Sequence, residues 1–119
     1  LMSVSASLST DIDDLDAFSN TGKSHLNEFA RKLQFGARAM TLTSVLEASK
    51  SPNEIDFMSL DVEGAELAVL SGLDFDKYRI KYILIECRDF DRLDTYLQQF
   101  GYKFLEKMSI HDHLFVRED

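Results

Sequence analysis

Ile55-Asp56-Phe57-Met58-Ser59-Leu60-Asp61-Val62-Glu63-Gly64-Ala65-Glu66-Leu67 is the stretch that decides the fold class. Ile55 to Leu60 is an apolar run of strand length, and it reads as a strand covered on both faces, hence parallel and central. The run stops at a cluster of carboxylates, and the chain turns at Gly64. A short helix is expected over Ala65 to Ser71, with Leu67 and Leu70 inward and Gly72 as a left-handed C-cap. In α/β proteins ligands sit beyond the carboxyl ends of parallel strands, so polar residues placed there are candidates for chemistry.

Downstream, Lys81 to Glu86 is a second buried strand, again closed by a carboxylate. Leu93, Tyr96, Leu97 and Phe100 mark an amphipathic helix that stops at Gly101. The end reads as two strands, Tyr102 to Met108 and His113 to Val116. Ser109-Ile110-His111-Asp112 joins them, a length that suits an antiparallel hairpin. Upstream, Ser51-Pro52-Asn53 punctuates the chain, Thr43 to Ser49 is a helical turn, and Ala37 to Leu42 a short strand. Ser24 is placed to cap a helix whose Leu26, Phe29, Ala30 and Leu33 share one face, with Gly36 ending it. Asp11-Ile12-Asp13-Asp14-Leu15-Asp16 reads as a solvated loop, because a calcium loop needs a glycine and a later glutamate at fixed offsets. This order of elements predicts an α/β domain, half of a doubly wound sheet with an antiparallel edge.

The 119 residues allow one domain with a modest core, and 45% hydrophobic with 29% charged residues is ordinary globular composition. A net charge of −8 argues against a nucleic-acid partner, which needs a basic surface. No apolar run is long enough to cross a bilayer as a helix, so no membrane partner is expected. The lone Cys87 excludes an internal disulfide and reads as a buried, inert thiol. With no signal-like start, a cytoplasmic location is expected. The chain begins at Leu1 rather than a methionine, and it is expected to be a piece of something longer.

Asp61 and Glu63 are two apart and point the same way if extended geometry persists. Glu66 follows in the first helical turn, where the dipole favours a negative charge, and Glu86 closes the strand expected alongside. Together they can bind a hard cation, with Asp61 as a candidate metal ligand, act as general bases, or hydrogen-bond a sugar hydroxyl. The plainer readings are a surface role for Glu66 and, for Glu63, satisfaction of the amides at the helix start. Asp61 and Glu86 each follow a long apolar run, and an unpaired buried carboxylate is costly. His25 is a surface residue of the first helix. His111 and His113 flank Asp112, and a His-x-His pair can ligate a metal or simply belong to the turn; both are candidate substrate-binding residues. No Gly-x-Ser-x-Gly occurs, and glycines 22, 36, 64, 72 and 101 are isolated, so there is no phosphate-binding loop.

From Ile55 through Leu67-Ala68-Val69-Leu70-Ser71-Gly72 the sequence resembles the central motif of FkbM-type methyltransferases. The resemblance continues through Ile83-Leu84-Ile85-Glu86, the helix ending in Gly101-Tyr102, and His111-Asp112-His113-Leu114-Phe115, and it covers residues 37 to 117. Thr41-Leu42 is similar to the segment preceding the motif, but Thr43 stands where the family commonly has Asp.

The resemblance implies a partial class I methyltransferase sheet, Rossmann-like and mainly parallel with an antiparallel C-terminal hairpin. It implies transfer of a methyl group from S-adenosylmethionine to a hydroxyl of a sugar- or polyketide-like small molecule. Asp61, Glu63 and Glu86 are then the catalytic candidates, with a divalent metal ion as a further cofactor candidate. The Gly-rich loop and the acidic residue that hold the cofactor in this superfamily have no counterpart. Residues 37–119 are therefore expected to be the C-terminal half of the domain, preceded by a segment, 1–36, with one helix. Alone, the chain is expected to bind S-adenosylmethionine weakly or not at all. Two alternatives stand beside this: a non-catalytic remnant that self-associates through an exposed sheet edge, and metal-dependent phosphotransfer. The latter wants a lysine at a later strand end, whereas Lys81 and Lys103 sit at strand beginnings.

Overall fold

The computed structural model describes residues 36–118. The helix expected after Ser24, the acidic run from Asp11 to Asp16 and His25 lie outside the described residues. The elements are α1 (Leu42–Ala48), β1 (Glu54–Leu60), α2 (Glu66–Ser71), β2 (Arg79–Glu86), α3 (Phe90–Gln98), β3 (Tyr102–Lys107) and β4 (Asp112–Arg117).

The four strands form one sheet in the order β1-β2-β4-β3. β1 and β2 run parallel, with Leu60 opposite Ile85, whereas β4 is antiparallel to both β2 and β3. Among the described residues the sheet is therefore mixed, not mainly parallel: one pairing is parallel and two are antiparallel. The hairpin is the cause. Its short turn forces β3 and β4 to be antiparallel, and the chain leaves α3 one place beyond β2, so β4 returns into the gap between them.

Two local expectations also change. β1 is an edge strand among the described residues rather than a central one, and Phe57 is 54% exposed. The stretch before α1 is not a strand. Thr41 is instead the N-cap of α1, its Oγ1 accepting from the Ser44 amide at 3.1 Å, and a capped turn competes directly with extension.

Gly72 closes α2, but at φ −89° it is not left-handed. Its value is close approach: a Cβ there would lie 3.2 Å from Thr41 Cβ. The Thr43 amide and hydroxyl both donate to the Gly72 carbonyl, at 3.0 and 2.9 Å, and the same hydroxyl accepts from the Asp74 amide at 2.7 Å. The threonine that departs from the family pattern thus latches α1 to the end of α2 with one group that donates and accepts, which a carboxylate cannot do.

The core lies between the sheet and the helices. Ile83, Ile85, Phe115, Leu70 and Leu97 are fully buried. Asp89 caps α3 by accepting from the Arg92 amide, and the helix buries Leu93 and Leu97, as their spacing predicts. Phe90 packs on Phe115 and His113, and Phe75 stacks on Phe100 at 4.1 Å. Gly101, at φ +80°, supplies the left-handed residue that turns the chain from α3 into β3. Leu97→Ala removes a fully buried side chain and should cost about 2–5 kcal/mol. Ile110→Ala, at a side chain 78% exposed, should stay within about 0.5 kcal/mol. Urea denaturation followed by circular dichroism checks both values.

Candidate functional site

Register builds the site. Because Leu60 pairs with Ile85, the residues that follow them, Asp61 and Glu86, emerge side by side at the carboxyl ends of β1 and β2. Asp61, Glu63 and Glu86 each present an oxygen, and these three oxygens lie within 4.8 Å of one another. Asp61 is exposed, while Glu63 and Glu86 are half-buried.

Extended geometry does not persist between Asp61 and Glu63. Glu63 adopts φ +55° and Gly64 φ +98°, two successive left-handed residues that fold the loop back on itself. A non-glycine residue there costs roughly 1–2 kcal/mol. The turn, and not strand alternation, brings Glu63 to the other two carboxyl groups. Arg88 Nη2 donates to Glu63 Oε2 at 3.0 Å and fixes its outer side.

Glu66 is not on the surface. It is 7% exposed, and its Oε1 accepts from the amides of Val62 and Gly64, each at 3.1 Å. Glu66 thus holds two amides of the loop ahead of the helix, whereas Glu63, expected to satisfy amides at the helix start, pairs with Arg88. Neither Glu66 nor Arg88 was assigned this work from the sequence. The available signals were an acid two residues beyond a glycine that must take positive φ, and a cation two residues beyond Glu86.

Electrostatics single out Glu86. A hydrogen bond with Asp61, then burial, then the charges of Asp61 and Glu63 push its carboxyl up to about 7, against the pull of Arg88. Two carboxyl groups this close resist simultaneous ionisation, so Glu86 holds its proton up to near neutrality. A group that exchanges a proton at neutral pH is matched to general acid–base work. The oxygen spacing is also compatible with a small cation, which would have to displace that proton.

The histidines part company. His111 is exposed, and its carbonyl accepts from the Cys87 amide at 2.9 Å. His113 is 8% exposed and pairs with Ile85, whose side chain faces the core, one position before Glu86. Its Nδ1 lies 2.9 Å from the His111 carbonyl oxygen, to which it donates, and 3.3 Å from Cys87 Sγ. Its ring packs on Phe90 at 5.0 Å. His113 is thus placed on the helix-covered face beside the thiol, away from the side to which Glu86 points. Burial, with the nearby charges of Glu66 and Asp89, pushes Cys87 up to about 11, in keeping with an inert thiol. Lys107 closes β3, and β4 lies between it and β2, so the lysine that phosphotransfer wants at the site is two strands from Glu86.

Raising the Glu86 carboxyl in the folded state means that folding favours its protonated form. That stability is fully present below the ordinary carboxyl range and is lost as pH rises through about 7. Glu86→Gln, which cannot ionise, should therefore stabilise the fold at pH 8 relative to the unaltered chain, by on the order of 1–2 kcal/mol once solvent screening is allowed for. The gap should close toward pH 5. Thermal unfolding at the two pH values reads it directly, and an equal gap at both would contradict the assignment.

The model of the methyltransferase FkbM domain matches residues 8–104. It takes in residues 8–36, ahead of the resembling stretch 37–117, and stops at 104, short of His111 to Phe115. No curated protein and no solved structure matches the chain. Among the described residues no helix is long and apolar enough to cross a membrane. With most of its length matched, the chain belongs to the methyltransferase FkbM domain family.

Proposed function

We propose that the carboxyl cluster is the acceptor-binding and proton-accepting part of an S-adenosylmethionine-dependent O-methyltransferase site. The observation that carries this is the convergence of Asp61, Glu63 and Glu86 at the carboxyl ends of two parallel strands, with a proton shared near neutrality. Family membership supplies the reaction class. S-adenosylmethionine, when bound, offers a methyl group on a positively charged sulfur. Clustered carboxylates suit that charge, and the fit rests on this complementarity.

Asp61, the exposed member, accepts a hydrogen bond from the acceptor hydroxyl and takes its proton as the oxygen becomes nucleophilic. Glu86, hydrogen-bonded to Asp61, then gives up its own proton to solvent, so that after the hydroxyl proton has passed to Asp61 the two carboxyl groups again carry one proton between them. Glu63, held by Arg88, orients a neighbouring hydroxyl of a sugar- or polyketide-like acceptor. A divalent ion ligated by Asp61 would lower the hydroxyl pKa in place of proton transfer; no step here depends on it.

In a complete enzyme that carries this chain, Asp61→Asn should lower methyl transfer by about a hundredfold or more while leaving the fold intact. The measurement is transfer of labelled methyl from S-adenosylmethionine to a panel of hydroxylated sugars and polyketides. Near-unaltered turnover in the variant would sink the base assignment.

A second reading is favoured by one observation, the position of β1 at the sheet edge among the described residues, with Phe57 half exposed. An unpaired strand edge pairs readily with another chain. On this reading the chain is a non-catalytic module that self-associates. Light scattering should then show a dimer, and a clean monomer at high concentration would exclude it.

A further inference from the structure

Glu66 is the one charged side chain of the Asp61–Glu86 region that is buried, and the acid–base reading of the site does not use it. At 7% exposure its carboxyl would be costly to bury without partners. Its partners are unusual for a residue in the first turn of a helix. A helix-capping glutamate reaches back to the amide of the N-cap residue. Here the N-cap is Ala65, and the Ala65 amide donates to the Val62 carbonyl at 3.3 Å. Glu66 Oε1 instead takes the amides of Val62 and Gly64, both ahead of the helix. It therefore serves the loop.

That loop is the strained part of the site. Glu63 stands between the two amides that Glu66 holds, and its left-handed backbone turns its side chain toward Asp61 and Glu86. Such conformations persist only where surrounding structure over-determines them. Two hydrogen bonds converging on one buried oxygen, one from each neighbour of Glu63, meet that requirement. On the outside, Arg88 is exposed, and an exposed ion pair restrains weakly.

We propose that Glu66 is a positioning residue: by gathering the amides of Val62 and Gly64 on its buried Oε1, it holds Glu63 in left-handed geometry and aims the Glu63 carboxyl at Asp61 and Glu86. The inference rests on the acid–base reading for its significance, but its geometry can be tested without any methyl transfer. Failure of one therefore leaves the other standing.

The test is nuclear magnetic resonance on the full chain. In the unaltered protein, couplings across the hydrogen bonds should link the Glu66 side-chain carboxyl carbon to the nitrogens of Val62 and Gly64. Glu63 should show the strong intraresidue amide-to-Hα contact that positive φ imposes. In Glu66→Gln, which keeps an acceptor oxygen in the same place, the Glu63 signal should survive. In Glu66→Ala it should disappear, and exchange of the Val62 and Gly64 amides with solvent should quicken about tenfold or more. Absence of the couplings in the unaltered protein overturns the proposal, as does a folded Glu66→Ala chain that keeps the Glu63 signal. If Glu66→Ala does not fold, the couplings and the Glu66→Gln spectrum decide.

Discussion

The site depends on the parallel pairing of β1 with β2 in a single register. Leu60 opposite Ile85 sets Asp61 next to Glu86, and a slip of one residue would turn one of the two carboxyl groups to the other face of the sheet. That register is itself held by the core, since Ile83 and Ile85 are fully buried and Leu60 nearly so. Burial of apolar side chains on one face thus fixes the position of charged side chains at the end of the strands. The chemistry of the site follows from packing some residues away from it.

Like charges brought together would ordinarily be dispersed by repulsion. Here the surroundings make the cluster tolerable in three ways. Glu86 retains a proton shared with Asp61 near neutral pH, which removes one negative charge from the group. Arg88 pairs with Glu63 and offsets a second. Glu66 takes loop amides on its Oε1 below the cluster, so its own carboxyl is satisfied rather than added to the crevice. Among the described residues, no buried side-chain nitrogen or oxygen lacks a partner. The arrangement leaves Asp61 as the exposed carboxyl of the three.

Much of the domain was legible because its signals are local. The apolar runs ending in Asp61 and Glu86, the Leu93–Leu97 spacing of α3, the Gly101 stop and the four-residue connection of the hairpin all announce elements from neighbouring residues. What misled were features whose meaning lies in distant contacts. An apolar run suggested a central strand, and among the described residues β1 has a neighbour on one side only. Gly72 looked like a left-handed cap, whereas its lack of a side chain matters for Thr41, thirty-one positions away in sequence. His113 looked like half of a polar pair, and pairing with Ile85 turned it into the core.

By itself the sequence determined the strands and helices from Glu54 onward to within a few residues, and that carboxylates stand at two strand ends in a pattern that resembles methyltransferases. Periodicity, capping and turn chemistry act over a few residues, so a linear reading can recover them. Only the tertiary structure decided that β4 lies between β2 and β3, that Glu63 reaches the cluster through a left-handed turn, and that Glu66 is buried beneath it. It also decided that Glu86 keeps its proton to about 7. Each of these depends on register, burial or the proximity of charges that meet only when the chain has folded.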